Sequence, residues 1–354
     1  MRVSSHLPGG RALGVMSVCE SCDVPIALTR FNFPVSIMCR PNLLGVRSKI
    51  RLPGLDAELC LPVETKRAVG LGAPFAAPRL RGDKWFCKVV EHAEPEWYRL
   101  QGWGAFHSGG PSPDDWVGHL TGGVLRVAVP KATEGQVLKA ADLVHESIAN
   151  WHESLRDWIE VLTHQDLDDR HPEERAHGLA AVETHAWTFR SEETRKRASV
   201  LFNPTMHLRE ASGEPLERAQ WRIAVRRANA QVPPPDSHIL LRDARGAARR
   251  GATRRCVLDA ATSVEITLTP LLHRQVSASL GSSVADELLP QRQLISAKLP
   301  VLVALGLALP SSLYTDVFVV RNKVIHGGYV PSGAEAQAAL SAATMVVSSH
   351  SPLA

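Results

Sequence analysis

Between residues 321 and 329 the chain reads Arg321-Asn322-Lys323-Val324-Ile325-His326-Gly327-Gly328-Tyr329, which brings a guanidinium, an amide, an imidazole and a phenol together. Those types suit phosphate chemistry. A guanidinium offers a rigid fork of donors to two phosphate oxygens and never loses its charge. An imidazole titrates near neutral pH and can take or give a proton. Cleavage of an RNA strand by its own 2′-hydroxyl needs a base for that hydroxyl, an acid for the leaving oxygen and positive charge beside the phosphorane. Asn322 stands one helical turn from His326, where its amide could orient the ring or the ribose. One motif carries one histidine, so two copies would supply both proton-transfer roles.

The Arg-x4-His spacing by itself means little, because the Arg and His content of 354 residues produces about one such pair by chance. Its setting is more informative. Winding about 100° per residue from Leu313, an apolar arc runs through Val320, Leu313, Val324, Val317, Arg321, Tyr314, Ile325 and Phe318, which puts Arg321 in its middle. A guanidinium buried alone costs roughly several kcal/mol, so it needs a carboxylate or a polar cleft. Glu265, on the rim of the stripe Val257, Ala261, Val264, Leu268 and Leu272, is the expected partner. The plainer reading makes Arg321 a structural ion-pair residue and His326 a helix-end histidine beside the last carbonyls.

The whole pattern, Arg321-Asn322-x3-His326-Gly-Gly-Tyr between two helices of a C-terminal bundle, resembles the HEPN family of helical domains over about residues 236–354. The resemblance implies a metal-independent RNA endonuclease with no cofactor, leaving 2′,3′-cyclic phosphate ends. It implies a homodimer with two motifs facing across a shared cleft, and a toxin or phage-defence effector with an antitoxin or regulatory protein as partner. On that resemblance Arg321 is the motif arginine, Asn322 its polar neighbour and His326 the catalytic histidine, with Tyr329 expected to line the cleft. The alternative is a non-catalytic HEPN-like dimerisation or interaction protein. The chain carries no companion nucleotidyltransferase motif, and its long N-terminal region is not part of the core family.

The elements that must position these residues divide at Val232-Pro233-Pro234-Pro235-Asp236. All eight Trp precede residue 222, so composition and a stiff proline stretch agree on a boundary near residue 233. The expected fold class is α+β: a mixed α/β region over 41–232, with short strands and one long helix, then an all-α bundle over 236–354. Strands are expected at Ala57–Val63, Lys84–Val90, Gly123–Val129, Thr184–Phe189 and Ala198–Phe202. The long helix runs from about Gly135 to Leu162, with Leu138, Ala141, Val144, Ile148, Trp151, Leu155, Trp158 and Leu162 as its stripe. Residues 1–40 carry no readable element and are expected to be loose, or to precede a later start at Met16 or Met38. Bundle helices are expected over His238–Arg250, over Thr253 to His273 with Pro270 kinking the last turn, and over Leu288–Leu305 with Pro300 interrupting. The fourth covers Ser312–His326 with a Gly-Gly stop, and the last follows the capping-box pair Ser332 and Glu335.

A net charge of +4 says little about partners, but residues 209–255 hold eleven arginines, no lysine and five carboxylates. Arg242, Arg245 and Arg249 form one stripe there and are the candidate RNA-backbone contacts; no aromatic residue interleaves them, which disfavours base stacking. Six scattered cysteines do not make a disulfide framework, and no membrane-length apolar run occurs, so a cytoplasmic protein is expected. Cys19-x2-Cys22 lacks a second matched pair, so no metal site is expected. His145, His152, His164, His171 and His177 match no ligand spacing and are expected at the surface.

Overall fold

A computed structural model describes residues 26–64, 73–76, 78, 103–108, 112, 115–128, 134–167, 182–188, 191–197, 213–288 and 295–353. The class is α+β, with an antiparallel sheet followed by a helical bundle. Among the described residues no helix is long and apolar enough to cross a membrane.

The sheet comprises β1 (Ile26–Cys39), β2 (Arg47–Leu52), β3 (Leu55–Cys60), β4 (Gly104–Ser108), β5 (Val117–Ala128), β6 (Val182–Thr188) and β7 (Ser191–Arg197). Its order is β2-β3-β5-β1-β6-β7, and β4 pairs β5 beyond the end of β3. β5 is central, and residues 122–127 along it are buried on both faces. Its buried Arg126 is neutralised by Glu58 of β3.

β1 corrects the expectation for residues 1–40, because Ile26–Cys39 is a long strand paired on both sides, with β5 and β6. Pro34 hides it from sequence reading, since proline cannot donate to a ladder. The register shift between Asn32 and Ile37 accommodates the proline in a bulge. The strands expected at Lys84–Val90 and Ala198–Phe202 lie outside the described residues.

Across the sheet lie α1 (Glu134–Thr163) and α2 (Arg218–Asn229). The α1 stripe is as expected: Val144, Ile148, Trp151, Leu155 and Trp158 are buried. α2 was not expected, yet Trp221, Ala224, Val225 and Ala228 repeat at helical spacing, and Glu217 with Gln220 forms a capping box. Asn229 ties three pieces together, accepting from Trp151 Nε1 at 3.0 Å and Arg51 N at 3.0 Å and donating to Lys49 O at 2.9 Å. His152 is not a surface residue; its ring lies 6.2 Å from Phe33, and burial followed by Arg156 lowers its pKa to about 3.

The bundle contains α3 (Asp236–Arg249), α4 (Thr253–Leu280), α5 (Ser282–Leu288), α6 (Ile295–Ala304), α7 (Val320–Gly327) and α8 (Gly333–His350). Its apolar cluster begins at Leu241, whereas the sheet's cluster ends at Ala228, so the two cores part across the proline stretch. α4 runs past His273 to Leu280 because Pro270 faces solvent, where water can satisfy the carbonyl its ring frees. α8 presents Ala336, Ala339 and Ala343 to the core, and these small side chains let it pack closely on α4.

A π-helical turn, Tyr314–Val319, leads directly into α7. It overturns the regular helical wheel, since a π turn holds more residues and slips the phase of everything beyond it. Tyr314 and Ile325, expected inside, are 52% and 47% exposed, while Leu313, Val317, Phe318, Val320 and Val324 are buried. Arg321 therefore sits at the rim of the apolar face, not in its middle.

Candidate active site

α7 delivers Arg321, Asn322 and His326 in sequence, and Gly328 ends it in the left-handed conformation (φ 61°), where a side chain would be strained. The Gly328 and Tyr329 N–H groups both donate to Lys323 O, the second at 3.3 Å. His326 is exposed at the last turn, and its ring makes no hydrogen bond among the described residues. The structural alternative in which His326 caps the final carbonyls is thus not what is seen.

Arg321 is mostly covered, with 19% of its side chain exposed, and its Nη1 donates to Asn322 Oδ1 at 3.1 Å. Glu265 of α4 approaches Nη2 only to 3.9 Å, a loose pairing. The expected encounter between α4 and the motif helix does occur, but among the described residues it leaves guanidinium donors unengaged. Asn322 turns its oxygen toward Arg321, so in this conformation the amide orients the arginine and not the imidazole. Five residues apart, Arg321 and His326 stand about 140° apart around a regular helix.

The segment after the helix is tightly held. Arg254, at the start of α4, donates from Nε to Tyr329 O at 2.9 Å and from Nη2 to Gly328 O. The Tyr329 hydroxyl donates to Glu335, whose oxygens lie at 2.9 and 3.0 Å. Glu335 also accepts from the Ser332 backbone at 2.8 Å and the Ser332 hydroxyl at 2.9 Å. These bonds, the Ser332 backbone first, hold the Glu335 carboxyl below its ordinary range, and the bond to Glu335 raises the Tyr329 phenol. Lys323 Nζ lies 5.6 Å from the centre of the Tyr329 ring. Tyr329 is thus an anchor of the loop, its hydroxyl already committed. Arg254 was missed as a member of the site, since 75 residues separate it from Tyr329 and nothing in linear spacing joins them.

The arginines expected to track RNA are placed elsewhere. Arg242 Nη1 donates to Asp157 Oδ1 at 2.6 Å and to Glu160 Oε2 at 3.4 Å, both on α1, and its Nε donates to Asp243 at 3.0 Å. Arg249 pairs with Asp166 at 3.2 Å and donates to His164 O at 3.3 Å. These two arginines lock the bundle to the sheet half, which corrects their reading as free backbone contacts. Arg245 lies between them on the same face with no hydrogen bond or ion pair among the described residues. His164 is also at this seam, half-buried, and not a free surface histidine.

Other chemistry is limited. Burial pushes the Cys39 thiol to about 12 and the Cys256 thiol to about 11, so neither is a nucleophile at neutral pH. Among the described residues no three His, Cys, Asp or Glu side chains gather as metal ligands, and Cys19 and Cys22 lie outside them. Comparison with models of protein families, with curated proteins and with solved structures found no match.

Proposed function

We propose that the C-terminal bundle is a metal-independent RNA endonuclease of HEPN type. His326 takes or gives the proton at the scissile 2′-hydroxyl or leaving oxygen, and Arg321 holds the phosphate and stabilises its developing charge. Asn322 keeps the guanidinium aimed, Glu265 restrains it loosely, and Tyr329 fixes the loop behind the histidine. Because one copy sets Arg321 and His326 on different sides of α7, the reading includes a homodimer whose two motifs share a cleft. A cytoplasmic toxin or phage-defence effector held in check by an antitoxin or regulatory protein is the role this chemistry suits.

The observation that carries this reading is an exposed, unbonded imidazole at the end of a helix whose guanidinium has its nearest carboxylate at 3.9 Å. A saturated ion pair would leave nothing to offer a phosphate. The test is RNA cleavage in excess EDTA by the parent protein, His326→Ala and Arg321→Ala, with the ends analysed for cyclic phosphate. Loss in both variants with cyclic ends from the parent is expected; equal cleavage by all three removes the mechanism.

The exposed Tyr314 and Ile325 favour a second reading, in which the same surface only pairs two copies. In that case both variants stay dimeric and the parent cleaves no RNA.

A further inference from the structure

The seam between the two halves contains a row of cations, one of which meets no carboxylate among the described residues. His238, Arg242, Arg245 and Arg249 recur at helical spacing along one face of α3, turned toward the end of α1. The outer two arginines meet acids, Arg242 with Asp157 and Glu160 and Arg249 with Asp166. Arg245, half-buried between them, meets none among the described residues. What surrounds it is positive or protonatable: Arg249 acts on Arg245, Arg245 on His238, and all three on His164.

Arg245, His164 and His238 are each pushed toward the neutral form, by burial first and with a further push from cationic neighbours. His164 falls to about 4 and Arg245 to about 10; the Ser351 carbonyl, 2.6 Å from His238 Nε2, only partly offsets the fall of His238. His164 adds a second cost, because its backbone is left-handed (φ 59°), a conformation rarely held by a residue with a Cβ. Its amide donates to Glu160 O at 2.9 Å and its carbonyl accepts from Arg249 at 3.3 Å, which fixes it at the seam. Crowded, partly desolvated cations are unfavourable until an anion joins them.

We propose that Arg245, His164 and His238 form a binding site for the phosphate group of a small ligand, separate from the Arg321 motif, with Arg249 at its edge already held by Asp166. Arg245 supplies a donor fork that meets no partner among the described residues, with His238 two turns earlier on the same face of α3 and His164 just past the end of α1. The site fits one phosphate and not an RNA backbone, because the arginines at either end of the stripe are already tied to Asp157, Glu160 and Asp166. Its position, where the sheet half meets the bundle, makes the ligand a bridge between the two.

The test is thermal unfolding of the full chain at constant ionic strength with chloride, inorganic phosphate, a 5′-mononucleotide or a short RNA. Phosphate or the nucleotide should raise the midpoint saturably, by about 5 °C near 100 times Kd, and the tighter of the two tells whether the phosphate arrives free or carried on a nucleotide. Arg245→Gln should abolish that rise while lifting the ligand-free midpoint by about 1–2 °C, since it removes an unanswered charge. His164→Asn, which tolerates the left-handed backbone, should weaken phosphate binding about tenfold. Arg321→Ala should keep the full response. The proposal is overturned if neither small ligand gives a saturable rise, if Arg245→Gln keeps it or lowers ligand-free stability, or if only RNA produces it.

Discussion

Arg242 and Arg321 have almost the same exposure, 17% and 19% of the side chain, and opposite surroundings. Arg242 meets Asp157, Asp243 and Glu160 within 2.6–3.4 Å, while Arg321 meets one carboxylate at 3.9 Å. Burial does not set the two apart; the degree to which their donors are taken does. Arg242 joins two cores. Arg321 is kept in place by an amide and a distant acid, and its remaining donors meet no partner among the described residues.

If the proposed nuclease reading holds, the contrast is sharpest in catalysis. His326→Ala should lower RNA cleavage about 10²–10⁴-fold and Arg321→Ala about 10²–10³-fold, with stability changed by less than about 1 kcal/mol in the arginine variant. An Arg321→Ala protein that unfolds far more easily would place Arg321 with Arg242 as a structural residue. Next comes Arg242→Ala, which leaves Glu160, 3% exposed, without its main counter-charge and should cost about 3–5 kcal/mol in denaturant unfolding. A loss near zero would mean that the seam holds by apolar contact alone.

A third effect separates the two regions by pH. Burial raises Glu160 from 4.5 to about 7 against the pull of Arg242 and Arg156. Between those values the folded protein keeps a proton that the unfolded chain releases. The contribution of Glu160 to stability therefore falls as pH rises through that window, by up to about 3 kcal/mol, and is flat above it. Glu160→Gln should flatten this slope in unfolding measured from pH 4.5 to 7.5, and an unchanged slope would assign the titration elsewhere. The smallest effect is on positioning. Arg254→Ala releases the carbonyls of Gly328 and Tyr329 and should slow cleavage about tenfold without moving substrate affinity, with Arg254→Lys recovering part of the rate. If the rate is unaltered, the loop needs no clamp.

How far these differences could be read in advance depended on the range of the interaction. The α1 stripe, the Ser332 and Glu335 cap and the Gly328 stop are local patterns, and each appears where its residues predict. The approach of Glu265 to Arg321 was also legible, because a charge in the apolar arc needs a carboxylate and Glu265 lies on the rim of a stripe that must pack on it. α2 was within reach, through the Glu217 and Gln220 box and the repeat from Trp221 to Ala228, but its arginines obscured the stripe. β1 was not, since Pro34 breaks the strand pattern and only a bulge in the tertiary pairing rescues it.

The amino-acid order by itself determined the α+β class and a motif helix carrying Arg321, Asn322 and His326, because periodicity and caps act between near neighbours. Tertiary structure decided which arginines are spent and which are free. A π-helical turn moved Arg321 to the rim, and Asp157, Glu160 and Asp166, more than 80 residues before their arginines, claimed Arg242 and Arg249. Charge neutralisation depends on distance in space, which no spacing along the chain encodes.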